Sequence, residues 1–115
     1  MFGPRQFKSV VDRPRVSPAA PSDESLLPPI TMYTTQWCGA CLMAKRHLRR
    51  RGIPYIEIDI EKVAGAADQV KHWARGYRTV PTFVIGERIV VDWDQSAFEA
   101  ALSAEIEARR EAAGR

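Results

Sequence analysis

From Ile30 onward the chain alternates between two spacings of apolar residues. Ile30–Thr34, ITMYT, is β-branched and aromatic and predicts a strand. Gly39–Arg51 places Leu42, Met43, Ala44, His47 and Leu48 at helical intervals, and Gly52 stands where a helix stops. Pro54–Ile60, PYIEIDI, alternates apolar and polar as a strand does, with Pro54 at the first position, where a strand tolerates proline. Lys62–Ala74 returns to the helical period through Val63, Ala66, Ala67, Val70 and Trp73. Pro81–Ile85 and Arg88–Asp92 are short strands on either side of Gly86–Glu87, which suits a hairpin turn. Ser96 to Ala112 is a final helix, with Ser96 and Glu99 at capping-box spacing.

The order is βαβαββα, which predicts an α/β fold: a four-stranded mixed sheet flanked by helices. Strands joined through a helix are expected to run parallel with a right-handed crossover. The closing hairpin adds an antiparallel pair. Six of the eight prolines lie within residues 1–29, and no period appears there. This predicts a disordered, Pro-rich tail over residues 1–28 and one domain over residues 29–115.

Composition narrows the class. A chain of 115 residues has room for one domain. Apolar residues at 45% supply a core, and charged residues at 27% an ordinary soluble surface. No apolar run approaches the ~20 residues of a bilayer-spanning helix. Asp12, Arg13 and Arg15 interrupt any apolar core of a secretory signal. The expectation is a cytoplasmic monomer with no membrane partner and with reduced thiols. A net charge of +3 is too small to single out nucleic acid. Arginine outnumbers lysine thirteen to four, a bias typical of a GC-rich genome.

The candidate chemistry lies in TTQWCGACL, Thr34–Leu42, which holds both cysteines of the chain. Their spacing alone admits a metal site, a structural disulfide or redox chemistry. A structural zinc usually takes four ligands, and the only other soft candidates are His47 and His72. On a straight helix His47 would lie about 13 Å beyond Cys38. No metal is therefore expected, and both histidines are expected at surface or helix-flank positions.

Placement favours redox chemistry. Cys38 follows a strand and opens a helix, where unpaired N–H groups and the macrodipole favour an anion. Such a site lowers a thiol pKa below its usual ~8.5. Cys41, one turn on, can reach back to Cys38. The first cysteine then serves as nucleophile and the second resolves what the first captures.

A second motif, RTVPT, spans Arg78–Thr82. Proline opening a strand inside a sheet suits a cis Val80–Pro81 bond, which would turn Val80 backbone groups toward an extended substrate. An ordinary edge proline is the alternative. Trp73, Trp93 and Phe98 read as packing residues. Lys45, Arg46, Arg49, Arg50 and Arg51 read as cations favoured near a helix C-terminus.

Together, MYTTQWCGAC, IEIDIE and RTVPT resemble the glutaredoxin family in its compact thioredoxin fold, and within it the actinobacterial mycoredoxins. The resemblance covers roughly residues 30 to 102. It implies a thiol–disulfide oxidoreductase that reduces mixed disulfides between a protein and a low-molecular-weight thiol. No bound cofactor is implied; mycothiol or glutathione is the co-substrate. Carried over, Cys38 is the nucleophile, Cys41 the resolving cysteine, and Val80 and Pro81 the substrate platform with Thr79 in the same groove. Arg78 lies near the bound substrate, Trp37 flanks the nucleophile, and Asp92 is a further binding candidate. Thr35 stands where glutathione-using members tend to carry lysine, and Val90–Val91 where they carry Gly-Gly. Mycothiol fits these departures better. Ala40 replaces a frequent tyrosine and leaves the site mouth more open. The rival readings are a NrdH-type or thioredoxin-like electron donor recycled by a flavoprotein reductase, and a dimeric module holding an iron–sulfur cluster through Cys38.

Overall fold

The computed structural model describes residues 26–114. The elements run β1 (Ile30–Thr34), α1 (Gly39–Arg51), β2 (Ile56–Asp59), α2 (Ala66–Trp73), β3 (Thr82–Ile85), β4 (Arg88–Val91) and α3 (Gln95–Ala113). The βαβαββα order is as expected. The strands form one sheet in the order β2-β1-β3-β4.

β1 pairs parallel with β2, Thr31 opposite Ile56, as a crossover through α1 requires. The expectation of parallel strands fails for β2–α2–β3. β3 lies on the other side of β1 and antiparallel to it, with Met32 opposite Phe83. Arg75 and Gly76, both at positive φ, turn the chain after α2 before it enters β3. β4 completes the antiparallel hairpin.

The sheet separates two apolar clusters. On one face Ile30, Met32, Phe83 and Ile85 pack against Ala44 and Leu48 of α1 and Phe98 and Leu102 of α3. On the other, Ile60 packs with Ala66, Val70 and Ala74, flanked by Tyr33, Ile58 and Val80. Phe83 and Phe98 are fully buried, with ring centroids 5.1 Å apart in an edge-to-face arrangement. Trp93 lies 5.7 Å from Phe98, and Trp73 meets Tyr33 edge-on at 5.5 Å, so all three expected packing aromatics do pack.

Several local expectations are corrected. Residues 1–25 of the expected tail lie outside the described residues. Leu26 and Pro28 are buried, Leu27 packs against the larger cluster, and Pro29 O accepts a hydrogen bond from Gly86 N–H at 2.9 Å. The packed chain thus begins before residue 29. α2 starts at Ala66, because Gly65 (φ 82) holds a left-handed conformation that ends the preceding turn. The cap of α3 is Asp94, whose Oδ1 accepts from Ala97 N–H at 3.2 Å, and Glu99 is engaged elsewhere. On α1 the buried stripe is Cys41, Ala44, His47 and Leu48, whereas Leu42 and Met43 are half-exposed. The i, i+3, i+7 row passes through the small buried cysteine and leaves the larger residues beside it outside.

Candidate active site

β1, a central strand, ends at Thr34, and residues 35–38 carry the chain from that end of the sheet into α1. Cys38 is the N-cap, in extended conformation (φ −97°, ψ 109°). Its Sγ accepts a hydrogen bond from Cys41 N–H at 3.0 Å, so a sulfur fills the position usually held by a Ser or Asp oxygen. Leu42 N–H donates to Cys38 O at 3.2 Å, closing the first turn. Both cysteines are free thiols; Cys38 is partly exposed and Cys41 is buried.

The second expected motif arrives from 42 residues away. The Val80–Pro81 bond is cis. The Cys38 thiol donates to Val80 O at 3.6 Å, which joins the helix start to the segment before β3. Thr82 Oγ1 donates to Thr79 O at 2.8 Å, and Asp92 N–H donates to Pro81 O at 2.8 Å. Thr79, Val80 and Pro81 are thereby held from both sides. Asp92 has φ 77°, a left-handed conformation that aspartate tolerates, and its Oδ1 accepts from Trp93 N–H at 2.7 Å.

The expected site residues therefore divide. Cys38, Cys41, Val80 and Pro81 converge, with Thr79 beside them. Asp92 meets the group through its backbone while its carboxylate serves the following turn. Trp37 is 88% exposed next to the nucleophile candidate. Arg78 is exposed, and no hydrogen bond or ion pair ties it to Cys38 among the described residues.

Burial pushes the Cys41 thiol up to about 12, reinforced by its hydrogen bond and charge interaction with Cys38. The Thr35 backbone and the Lys45 ammonium act in the opposite direction. Cys41 is therefore a protected thiol at neutral pH, shielded behind the partly exposed Cys38.

Two clusters were not anticipated. Lys45 Nζ lies 2.7 Å from Glu57 Oε2, which also accepts from the buried Thr34 Oγ1 at 2.8 Å. Partial burial pushes the Glu57 carboxyl up, but Lys45 and Thr34 outweigh it and hold it below its usual range. At the other end of α1, His47 is buried rather than at the surface, with Nε2 2.6 Å from Glu99 Oε2. Arg51 grips the same carboxylate through Nε at 3.0 Å and Nη2 at 2.7 Å. The sequence clue to both clusters was slight: a cation four residues after Cys41, and a histidine on the core-facing row.

A family model of glutaredoxins matches residues 30–90, more than half of the chain. The chain belongs to the glutaredoxin family. A Mycobacterium tuberculosis protein named as a glutaredoxin is 49% identical over 53 residues, 46% of this chain and 63% of that one. The match thus spans less than two thirds of that relative. A Pseudomonas aeruginosa glutaredoxin is 38% identical over 61 residues, 53% of this chain and 71% of that one. Among solved structures, the glutaredoxin-like NrdH-redoxin of Escherichia coli superposes with a TM-score of 0.56 at 26% identity, covering 63% of this chain and 92% of that one. The helix-capping Cys38, the buried Cys41 and the Val80–Pro81 segment all lie within the region matched to the glutaredoxins. No helix among the described residues is long and apolar enough to cross a membrane.

Proposed function

We propose that this glutaredoxin-family chain is a thiol–disulfide oxidoreductase that reduces protein mixed disulfides with a low-molecular-weight thiol, mycothiol or a close analogue. One observation carries the reading. The accessible Cys38 sulfur caps α1 and lies against the Val80 carbonyl, while its partner thiol Cys41 is buried one turn behind.

The chemistry runs in two steps. Cys38 loses its proton to solvent, and its thiolate attacks the small-thiol sulfur of the mixed disulfide. The protein sulfur leaves with the bonding electron pair and takes up a proton, and a disulfide between Cys38 and the small thiol remains. A second small-thiol thiolate then attacks that small-thiol sulfur, releasing the symmetric small disulfide and the Cys38 thiolate. Alternatively Cys41, as thiolate, attacks Cys38 Sγ; the small thiol leaves and a Cys38–Cys41 disulfide forms. Occupation of Cys38 relieves Cys41 of its thiol neighbour, which is one cause of the raised Cys41 value. Val80 and Pro81 supply the backbone against which the substrate lies, with Thr79 beside them. Trp37, Arg78 and Asp92 form the rim. The protein works as a monomer in the cytoplasm, with disulfide-bonded proteins and the small thiol as its partners.

The second reading is a NrdH-type electron donor recycled by a flavoprotein reductase. It is favoured by the Escherichia coli glutaredoxin-like protein NrdH, 33% identical over 58 residues and covered over 69% of its length. An assay panel separates the two. Wild type, Cys38→Ser and Cys41→Ser are offered glutathione, mycothiol and thioredoxin reductase in turn. Recycling by mycothiol, retained in Cys41→Ser and lost in Cys38→Ser, supports the main reading. Recycling by the reductase alone replaces it with the second.

A further inference from the structure

We propose that Lys45 is a positioning residue for the resolving step: its ammonium, fixed one helical turn beyond Cys41, stabilises the Cys41 thiolate that attacks the occupied Cys38. This rests on the dithiol reading above and adds a residue to it.

The geometry starts from spacing. On α1, Cys41 and Lys45 are four residues apart and therefore neighbours on one side of the helix. Lysine is ordinarily a flexible surface charge, yet this one is held. Its side chain is 22% exposed, and Nζ sits 2.7 Å from Glu57 Oε2. Glu57 is opposite Met32 in the sheet, so its side chain rises on the α1 face. There it also accepts from Thr34 Oγ1, a hydroxyl buried at the end of β1. Two strands thus combine to hold one cation near the resolving thiol, at the end of the sheet where β1 leads into the active-site turn.

The groups acting on Cys41 make the position consequential. From α1 they are Cys38 and Lys45, and from the turn after β1 the Thr35 backbone. Glu57 of β2 faces Lys45, and Arg49 acts on Glu57 in turn. Neither α2 nor the 79–81 segment contributes an ionisable group that acts on Cys41 among the described residues. When Cys38 is bonded to substrate its thiol no longer opposes the Cys41 thiolate, and among the described residues Lys45 is the charged side chain that still favours it. The step balances without a further reagent. The Cys41 proton passes to solvent, Cys41 Sγ bonds to Cys38 Sγ, and the substrate sulfur departs as a thiolate. Lys45 exchanges no electrons and keeps its proton.

The test is a single turnover of the full chain with one equivalent of 5,5′-dithiobis(2-nitrobenzoate). Attack by Cys38 releases one coloured thiolate, and attack by Cys41 releases the second. Lys45→Met is expected to slow the second release about threefold and to shift its pH dependence upward, since a raised thiol pKa lowers the thiolate fraction at a given pH. The first release is expected at the wild-type rate. Lys45→Gln, which keeps a polar head for Glu57, gives the same slow second phase, and Lys45→Arg restores it. A second phase of unchanged rate and pH midpoint in Lys45→Met or Lys45→Gln overturns the proposal, as does a Lys45→Arg variant as slow as Lys45→Met. Cys41→Ser reads the underlying assignment separately. If it still releases both equivalents at the wild-type rate, the resolving role itself fails, whatever Lys45 does.

Discussion

At its first turn α1 is capped by a partly exposed sulfur, whereas at its last turn it is clamped by a carboxylate and closed by a glycine. The N-terminal cap is Cys38 Sγ, a weaker acceptor than the oxygen that most helices place there. At the C-terminal end two of the last carbonyls find backbone donors. Gly52 at φ 67° donates to Arg49 O at 3.0 Å, and the buried Ile53 donates to Leu48 O at 2.9 Å, the two bonds of a Schellman stop. Below it Glu99 of α3 receives His47 and Arg51, and the His47 ring lies 6.1 Å from Phe98 and 5.5 Å from Trp93. One helix is thus anchored to the core at one end and left reactive at the other. A partly exposed thiol at a helix start is held by few packing contacts, so much of the rigidity of α1 comes from its opposite end.

The largest expected effect lies at the open end. Cys38→Ser should abolish thiol–disulfide turnover while leaving thermal stability unchanged or slightly higher, because serine is a preferred cap. Residual turnover, or a marked drop in the melting temperature, would contradict the contrast between the two ends. At the closed end the signs reverse. Phe98→Ala, at a fully buried position, should cost about 3–5 kcal/mol in urea denaturation. The intrinsic reactivity of whatever fraction stays folded should be nearly unchanged.

A smaller effect is expected at the clamp. Partial burial pushes the Glu99 carboxyl up, but the bonds from Arg51 and His47 more than offset this and hold it below its usual 4.5. A carboxyl held low in the folded chain adds stability that is complete above the unfolded value and lost as pH falls through the folded one. Urea midpoints of the wild type should therefore drop as pH goes below 4.5. Glu99→Gln should cost about 1–2 kcal/mol at neutral pH, since hydrogen bonds to a partly solvated charge are lost, and should flatten that acid slope. A slope identical to wild type would remove Glu99 from the clamp. The smallest effect returns to the open end. Ala40→Tyr narrows the site mouth and should change the KM for the small thiol by about threefold, a difference of under 1 kcal/mol. Equal affinity and turnover would show that residue 40 does not shape access.

Much of the open end could be read from the chain, because its parts are local. A strand, a short turn and a helix place Cys38 at a cap within eight residues, and the i, i+3 step to Cys41 follows from helix geometry. Pro81 announced itself because proline is out of place in a central strand. The closed end was not legible. His47 reads as a flank residue until Glu99, 52 residues later, is brought to 2.6 Å. Glu99 itself reads as half of a capping box with Ser96, but Asp94 is the cap, because its Oδ1 accepts from the free N–H of Ala97. Leu42 and Met43 read by their spacing as part of the apolar face, yet they are half-exposed, because the direction in which the helix packs decides which row is buried.

By itself, then, the sequence determined the element order, the helix start beneath Cys38 and the proline before β3. Each depends on backbone preferences and on neighbours within a turn or two. Only the tertiary structure decided that β3 crosses to the far side of β1 and that Val80 O meets the Cys38 thiol. It also decided that Thr34, Glu57 and Lys45 join above the sheet. Those contacts link residues at least 12 positions apart. They form only when burial of Met32, Phe83 and Phe98 has fixed the sheet and its helices in one arrangement, and no local spacing encodes which polar groups that arrangement brings together.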